Sequence, residues 1–214
     1  MKRILGLGLS AAVIGALGVA LAADDEVRKS YDFTGFDKIW VSGVYDIEVT
    51  VGSGFSIELS GPADEMARAE VKKRGDKLDL GQRKRGKKRH RREGVEATIT
   101  LPSLEALEVS GVVDGVIEGV DSERLTVDLS GVGDVDVSGR CGELDALVSG
   151  VGELDASDLE CRHVTVRVSG VGEAEVYASE SVDAVVSGMG DITVYGSPKK
   201  VKKHGGLFSD ITIR

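Results

Sequence analysis

Apolar and polar residues alternate along this chain in a frame set by a recurring Ser-Gly-Val (or Ser-Gly-Met) tripeptide. With each serine as position zero, position −1 reads Val41, Val109, Leu129, Val148, Val168 and Val186. Position −3 reads Ile39, Leu107, Val127, Ala146, Val166 and Ala184, while −2 is mixed: Trp40, Glu108, Asp128, Leu147, Arg167 and Val185. Beyond the tripeptide, +5 is Ile47, Gly115, Val135, Leu154, Ala174 and Ile192, and +7 is Val49, Ile117, Val137, Ala156, Val176 and Val194. A period of two is the mark of a half-buried strand. Each copy therefore predicts a strand, a tight Ser-Gly-x-Gly turn and a second strand. A looser return such as Gly139-Arg140-Cys141-Gly142 should follow.

The serines stand at Ser42, Ser110, Ser130, Ser149, Ser169 and Ser187, with steps of 20, 19, 20 and 18 residues from Ser110 onward. A steady period of this length predicts stacked coils, each leaning on its neighbours. The fold class expected is all-β, a right-handed parallel β-helix (β-solenoid) with coils of about 18–20 residues. An antiparallel meander would explain the turns but not the matching of columns between copies. The glycine at +1 supplies either a positive φ or room for close stacking of the turns. The Val or Met at +2 is expected to tuck under the turn.

Residues 31–103 are less regular than the repeats of 104–214. Strands are expected over Lys38–Val51 in two pieces, Ser56–Leu59, Glu70–Lys73, Leu78–Leu80 and Val95–Leu101, with a helical turn at Ala63–Ala67 after Pro62. Gly206–Ile213 reads as one more imperfect coil.

The N-terminus changes the picture of where this solenoid works. Lys2 and Arg3 precede an apolar run to Val19, and Ala20-Leu21-Ala22 then offers a small-residue cleavage site. Residues 1–22 read as a secretory signal peptide, so export to the periplasm, cell surface or medium is expected. No second apolar stretch of spanning length follows. Removal of Lys2 and Arg3 takes the net charge from −9 to −11. Aromatics are only 4 % against 29 glycines, which suits short strands and tight turns and ill suits a ring-lined pocket.

Several segments together resemble a known family. Phe33-Thr34-Gly35-Phe36-Asp37-Lys38-Ile39 leads into a Val-Ser-Gly strand, Leu101–Leu107 has the form Leu-Pro-x-Leu-x-x-Leu, and serial Ser-Gly-x-Gly-Asp/Glu turns follow. From Tyr31 to Arg214 the chain resembles the auto-transporter adhesin head GIN domain family of bacterial envelope proteins. The resemblance implies a right-handed β-helix of pectin-lyase shape, a role in adhesion and no shared catalytic residues. This chain differs in carrying Val or Met where Ser or Thr is common after the glycine, and in a strongly basic insert.

Three groups of residues could carry chemistry. Position +4 is acidic in every copy: Asp46, Asp114, Asp134, Glu153, Glu173 and Asp191. Position +6 adds Glu48, Asp136, Asp155 and Glu175. Stacked coils would set these like charges in ladders, each pair destabilising by a few tenths to about 1 kcal/mol. The acids either close turns and keep the surface soluble, or hold calcium; Asp114, Asp134, Glu153, Glu173 and Asp191 are the candidate ligands. The calcium-binding nonapeptide has a similar form, but it repeats every nine residues or so.

The second group is the run Arg83, Lys84, Arg85, Lys87, Lys88, Arg89, Arg91 and Arg92, eight cations within ten residues of an acidic chain. It predicts contact with polyanions, meaning anionic envelope or host-surface glycans and lipids, or else neutralisation of the acidic ladder in the same or another copy. A homo-oligomer is thus a possible partner state. Specific nucleic-acid binding is not expected, since no aromatic residues interleave the cations for base stacking.

The third group is Cys141 and Cys161, which fall in one column of adjacent coils. They form either a disulfide, favoured by export, or a stacked pair of thiols. The chain reads as a non-enzyme without a cofactor, with a polysaccharide-active enzyme of pectin-lyase shape and a calcium-stabilised surface module as alternatives. Carboxylate pairs such as Asp134 and Asp136 are products of the columns rather than a unique acid–base pair.

Overall fold

In the computed structural model, described here for residues 26–83, 94–206 and 209–214, the chain forms a stack of parallel coils, a β-solenoid of about 5 turns. Residues 1–25, on which the expected signal peptide falls, Lys84–Arg92 of the basic run, and Leu207 and Phe208 lie outside the described residues.

The regular half is built from β9 (Val112–Leu129), β10 (Val132–Val148), β11 (Val151–Val168) and β12 (Val171–Val186), followed by β13 (Met189–Tyr195), β14 (Lys200–His204) and β15 (Ser209–Ile213). Successive strands pair in parallel with like positions opposed: Val132 faces Val112 and Val151, and Val148 faces Leu129 and Val168. The inward columns fill the core, with Leu125, Ile117, Leu154, Val166 and Val176 almost wholly buried. Each long strand runs unbroken from one Ser-Gly turn to the next, which corrects the expected looser return. Gly139-Arg140-Cys141 pairs along its length with Leu159-Glu160-Cys161, and only a bulge between Asp136 and Gly139 marks the corner. A bulge bends a strand without releasing its neighbours.

The irregular half begins with β1 (Glu26–Ser30), β2 (Lys38–Val41), β3 (Val44–Val51) and β4 (Ser56–Pro62), then α1 (Ala63–Met66). β5 (Ala69–Arg74), β6 (Lys77–Gln82), β7 (Val95–Leu101) and β8 (Ala106–Val109) complete it. β2, β3, β6, β7 and β8 stack in parallel as coils, but β1 with β4, β4 with β7, and β5 with β6 are antiparallel. Here the repeat is lost and hairpins close the end of the stack. Tyr45 fills the space under the first turn, fully buried, its hydroxyl donating to the Gly81 carbonyl at 2.7 Å.

The turns settle the role of the +1 glycine. It is not at positive φ in any copy. A Cβ on Gly150 would instead overlap the Gly131 carbonyl oxygen and lie 2.8 Å from its carbon. Close stacking of turn on turn is what demands glycine. Val132 N–H donates to the Gly111 carbonyl at 2.9 Å, and Val151 N–H to Gly131 at 3.0 Å, so the turns are themselves hydrogen-bonded layers. The +2 residue does not tuck under: the tight stack leaves no space there, and Val132, Val151, Val171 and Met189 point into solvent.

Candidate functional site

The solenoid shows two charged flanks of opposite character. On the turn flank the +4 acids stand in register from one coil to the next. Glu96 opposes Asp46, Asp46 opposes Asp114, and the row runs on through Asp134, Glu153, Glu173 and Asp191 to Asp210. Glu48, Asp136, Asp155 and Glu175 stand two residues along on the same face. Among the described residues none of these carboxylates forms an ion pair.

That isolation has an electrostatic result. Partial burial, then the Asp114 and Glu96 charges, hold Asp46 above the usual carboxylate range. Burial followed by the Asp155 charge does the same to Asp136, and burial followed by Glu173 to Glu153. Some ladder acids do accept backbone hydrogen bonds from the next coil: Glu153 N–H donates to Asp134 at 3.1 Å, and Asp210 N–H to Asp191 at 2.8 Å. Asp114, Asp134, Glu153, Glu173 and Asp191, the calcium candidates, are thus brought together as a row. Among the described residues no three or more His, Cys, Asp or Glu side chains gather as they would to hold a metal ion.

On the return flank, opposite charges meet. Arg140 grips Asp121 with two hydrogen bonds, of 3.0 and 2.7 Å. Arg162 reaches Glu123 at 3.1 Å, Arg167 reaches Asp145 at 3.2 Å, and Arg124 pairs with Glu143. The Arg140 hydrogen bond, more than its charge, holds the Asp121 carboxyl below its usual range. Cys141 and Cys161 stand opposite one another and are joined by a disulfide, with Cα atoms 4.5 Å apart.

A shallow trough on this side is lined by Arg124, Glu143, Asp145, His163, Lys200 and Lys202, among others. His163 Nδ1 lies 2.9 Å from Ser181 Oγ, and its Nε2 lies 3.9 Å from Glu180. In a hydrolase triad the serine meets Nε2 and the carboxylate Nδ1, the reverse of this order. The trough's lysines are exposed and Arg124 stands largely in solvent.

Arg83 is the described end of the basic run. Its guanidinium donates to the Ala67 carbonyl at 2.8 Å and sits 3.5 Å from Glu70. Sequence reasoning missed the arginine–carboxylate ladders of the return flank and the strand Lys200–His204, all of it exposed. The signal for the former was there: Asp121 and Arg140 are opposite charges one coil apart.

Stacked parallel coils with charged outer ladders place the chain in the β-solenoid class. Residues 35–198 match the family described as "Putative auto-transporter adhesin, head GIN domain", and the chain belongs to that family. Among solved structures it is similar to a putative adhesin from Bacteroides fragilis NCTC 9343, with 27 % identity and a TM-score of 0.75 over 88 % of this chain and 97 % of that one. A putative adhesin from Parabacteroides merdae ATCC 43184 shares the fold at 16 % identity and a TM-score of 0.51, covering 89 % of this chain and 96 % of its own. A search of curated proteins finds no match. The family and these neighbours are named for adhesion, which makes this an adhesion-type module and fits a secreted or envelope-associated protein. Among the described residues no helix is long and apolar enough to cross a membrane.

Proposed function

We propose that this chain is an exported adhesion module that holds to polyanionic envelope or host surfaces through the segment Arg83–Arg92. The observation that carries this reading is the concentration of eight cations in ten residues within a chain of net charge −9. The solenoid is the rigid mount, and the segment joins β6 to β7 at its irregular end. Each exposed charge contact is weak, so the attachment works by number and is weakened by salt. Adhesion through polar, solvated contacts also suits a protein with so few aromatic side chains.

The test uses immobilised heparin and lipopolysaccharide as polyanion probes. The protein should be retained at low salt and eluted by raised salt. A variant with residues 84–92 replaced by Gly and Ser should pass through. Equal retention of the two proteins would overturn the reading.

A further inference from the structure

The turn flank carries an apolar row that the adhesion reading does not use. Val112, Val132, Val151, Val171 and Met189 are 41, 50, 54, 47 and 57 % exposed, in register on five successive coils. Val116, 40 % exposed, lies on the same flank, so six of the eight large apolar side chains exposed among the described residues share one face. Scattered single exposed apolar residues need no explanation, but a contiguous stripe marks an interaction surface.

Rungs about 4.8 Å apart make this stripe roughly 20 Å long. The +4 acids stand two residues further along each strand, about 7 Å away. Any partner that covers the stripe therefore lies beside a ladder of carboxylates that has no ion-pair partner among the described residues. An anionic surface is repelled there, and a neutral apolar one leaves the ladder's charge unanswered. A partner carrying cations next to apolar side chains satisfies both rows together. We propose that this face binds a cationic amphipathic polypeptide segment, its apolar side chains on the Val112–Met189 stripe and its lysines or arginines on the acids from Asp114 to Asp191. The site is made of other residues than the basic segment and takes a ligand of the opposite charge.

The test is titration of the protein with a labelled peptide of alternating Lys and Leu, against a Lys/Ser peptide of the same length and charge. The Lys/Leu peptide should bind about tenfold more tightly. The double variant Val151→Thr/Val171→Thr keeps β-branched residues at these positions, so the strands persist, and should bring the two peptides to equal affinity. The triple variant Asp134→Asn/Glu153→Gln/Glu173→Gln should weaken both peptides and flatten the salt dependence. Equal binding of the two peptides to the unaltered protein would overturn the proposal, as would unchanged Lys/Leu binding in either variant. Two other occupants are separable. Tighter peptide binding after replacement of residues 84–92 by Gly and Ser would assign the face to the chain's own basic segment. Self-association that disappears in the Val→Thr variant would assign it to a second copy. Either result overturns the proposal.

Discussion

The turn flank and the return flank are made by the same coils, yet one stacks like charges and the other opposite ones. The turn flank repeats strictly: an acid follows every Ser-Gly turn at the same distance, so parallel register sets acid on acid from Glu96 to Asp210. On the return flank the residues vary from coil to coil, and register sets Arg140 on Asp121 and Glu143 on Arg124. A parallel stack turns sequence identity into electrostatic repulsion and sequence variation into pairing. The flank that keeps its identity gives up stability to present one uniform surface.

The sharpest way to break the comparison is to spoil the stacking on the turn flank. Gly150→Ala puts a methyl into the Gly131 carbonyl of the coil beneath, and rigid backbone on both sides cannot yield. Overpacking of this kind destabilises by about 3 kcal/mol, which should lower Tm by on the order of 10 °C in thermal unfolding. An unchanged Tm would mean the turns are not the tight layers described. The return flank has its own fastening in the disulfide. Its two cysteines are 20 residues apart. Closing such a loop in the unfolded chain accounts for roughly 3 kcal/mol at most. Cys141→Ala/Cys161→Ala should therefore lower Tm by somewhat less than Gly150→Ala, and added reductant should then have no further effect.

Much of this architecture was legible in the chain. The −1, −3, +5 and +7 columns place the core because a side chain's face follows from parity, and parity survives any detail of the turns. The strands from Ser56 to Leu101 were readable by the same rule, and the helical turn from the proline that precedes it, Pro62. The +2 residues were not. Val132 and Val151 are apolar and looked like core, but the backbone stacking that needs Gly131 and Gly150 leaves no interior space at the turn. The ion pairs of the return flank were half readable: Asp121 and Arg140 stand about one coil apart, but which residues meet depends on register at a bulged corner between Val137 and Gly139. The strand pattern there looked like a loop because glycines at 139 and 142 interrupt it.

Acidity should separate the flanks by sign. Asp46, Asp136 and Glu153 have raised values in the folded chain. The folded state then binds protons more tightly than the unfolded one. Their effect is to make stability rise as pH falls from neutral into the upper carboxylate range. Asp121 is held low, so its contribution is present above the ordinary Asp range and is lost as pH falls through its lowered folded value. The unaltered protein should thus show a Tm maximum in mild acid, below neutrality. Asp136→Asn/Glu153→Gln should raise stability at neutral pH by a few tenths of a kcal/mol per like-charge contact removed, and should shrink the rise in mild acid to the part carried by Asp46. A Tm that falls steadily from neutral pH in the unaltered protein would show that the ladder is not under strain.

The smallest effect should come from the best-formed ion pair. Arg140 and Asp121 make two hydrogen bonds at 3.0 and 2.7 Å, the geometry that gives a guanidinium its strongest hold on a carboxylate. Both side chains are nevertheless largely in water, where solvent screens the attraction and ordering two long side chains offsets much of it. Arg140→Ala should leave Tm almost unmoved at moderate salt, and the small difference should vanish in molar salt. What it should change is the acid limb: Asp121 returns to an ordinary value, so its share of the loss of stability on acidification disappears and the limb becomes shallower than in the unaltered protein. If Arg140→Ala instead lowered Tm as much as removal of the disulfide, the paired ladders would be fastening the return flank. Its contrast with the unpaired flank would then be one of stability rather than of surface.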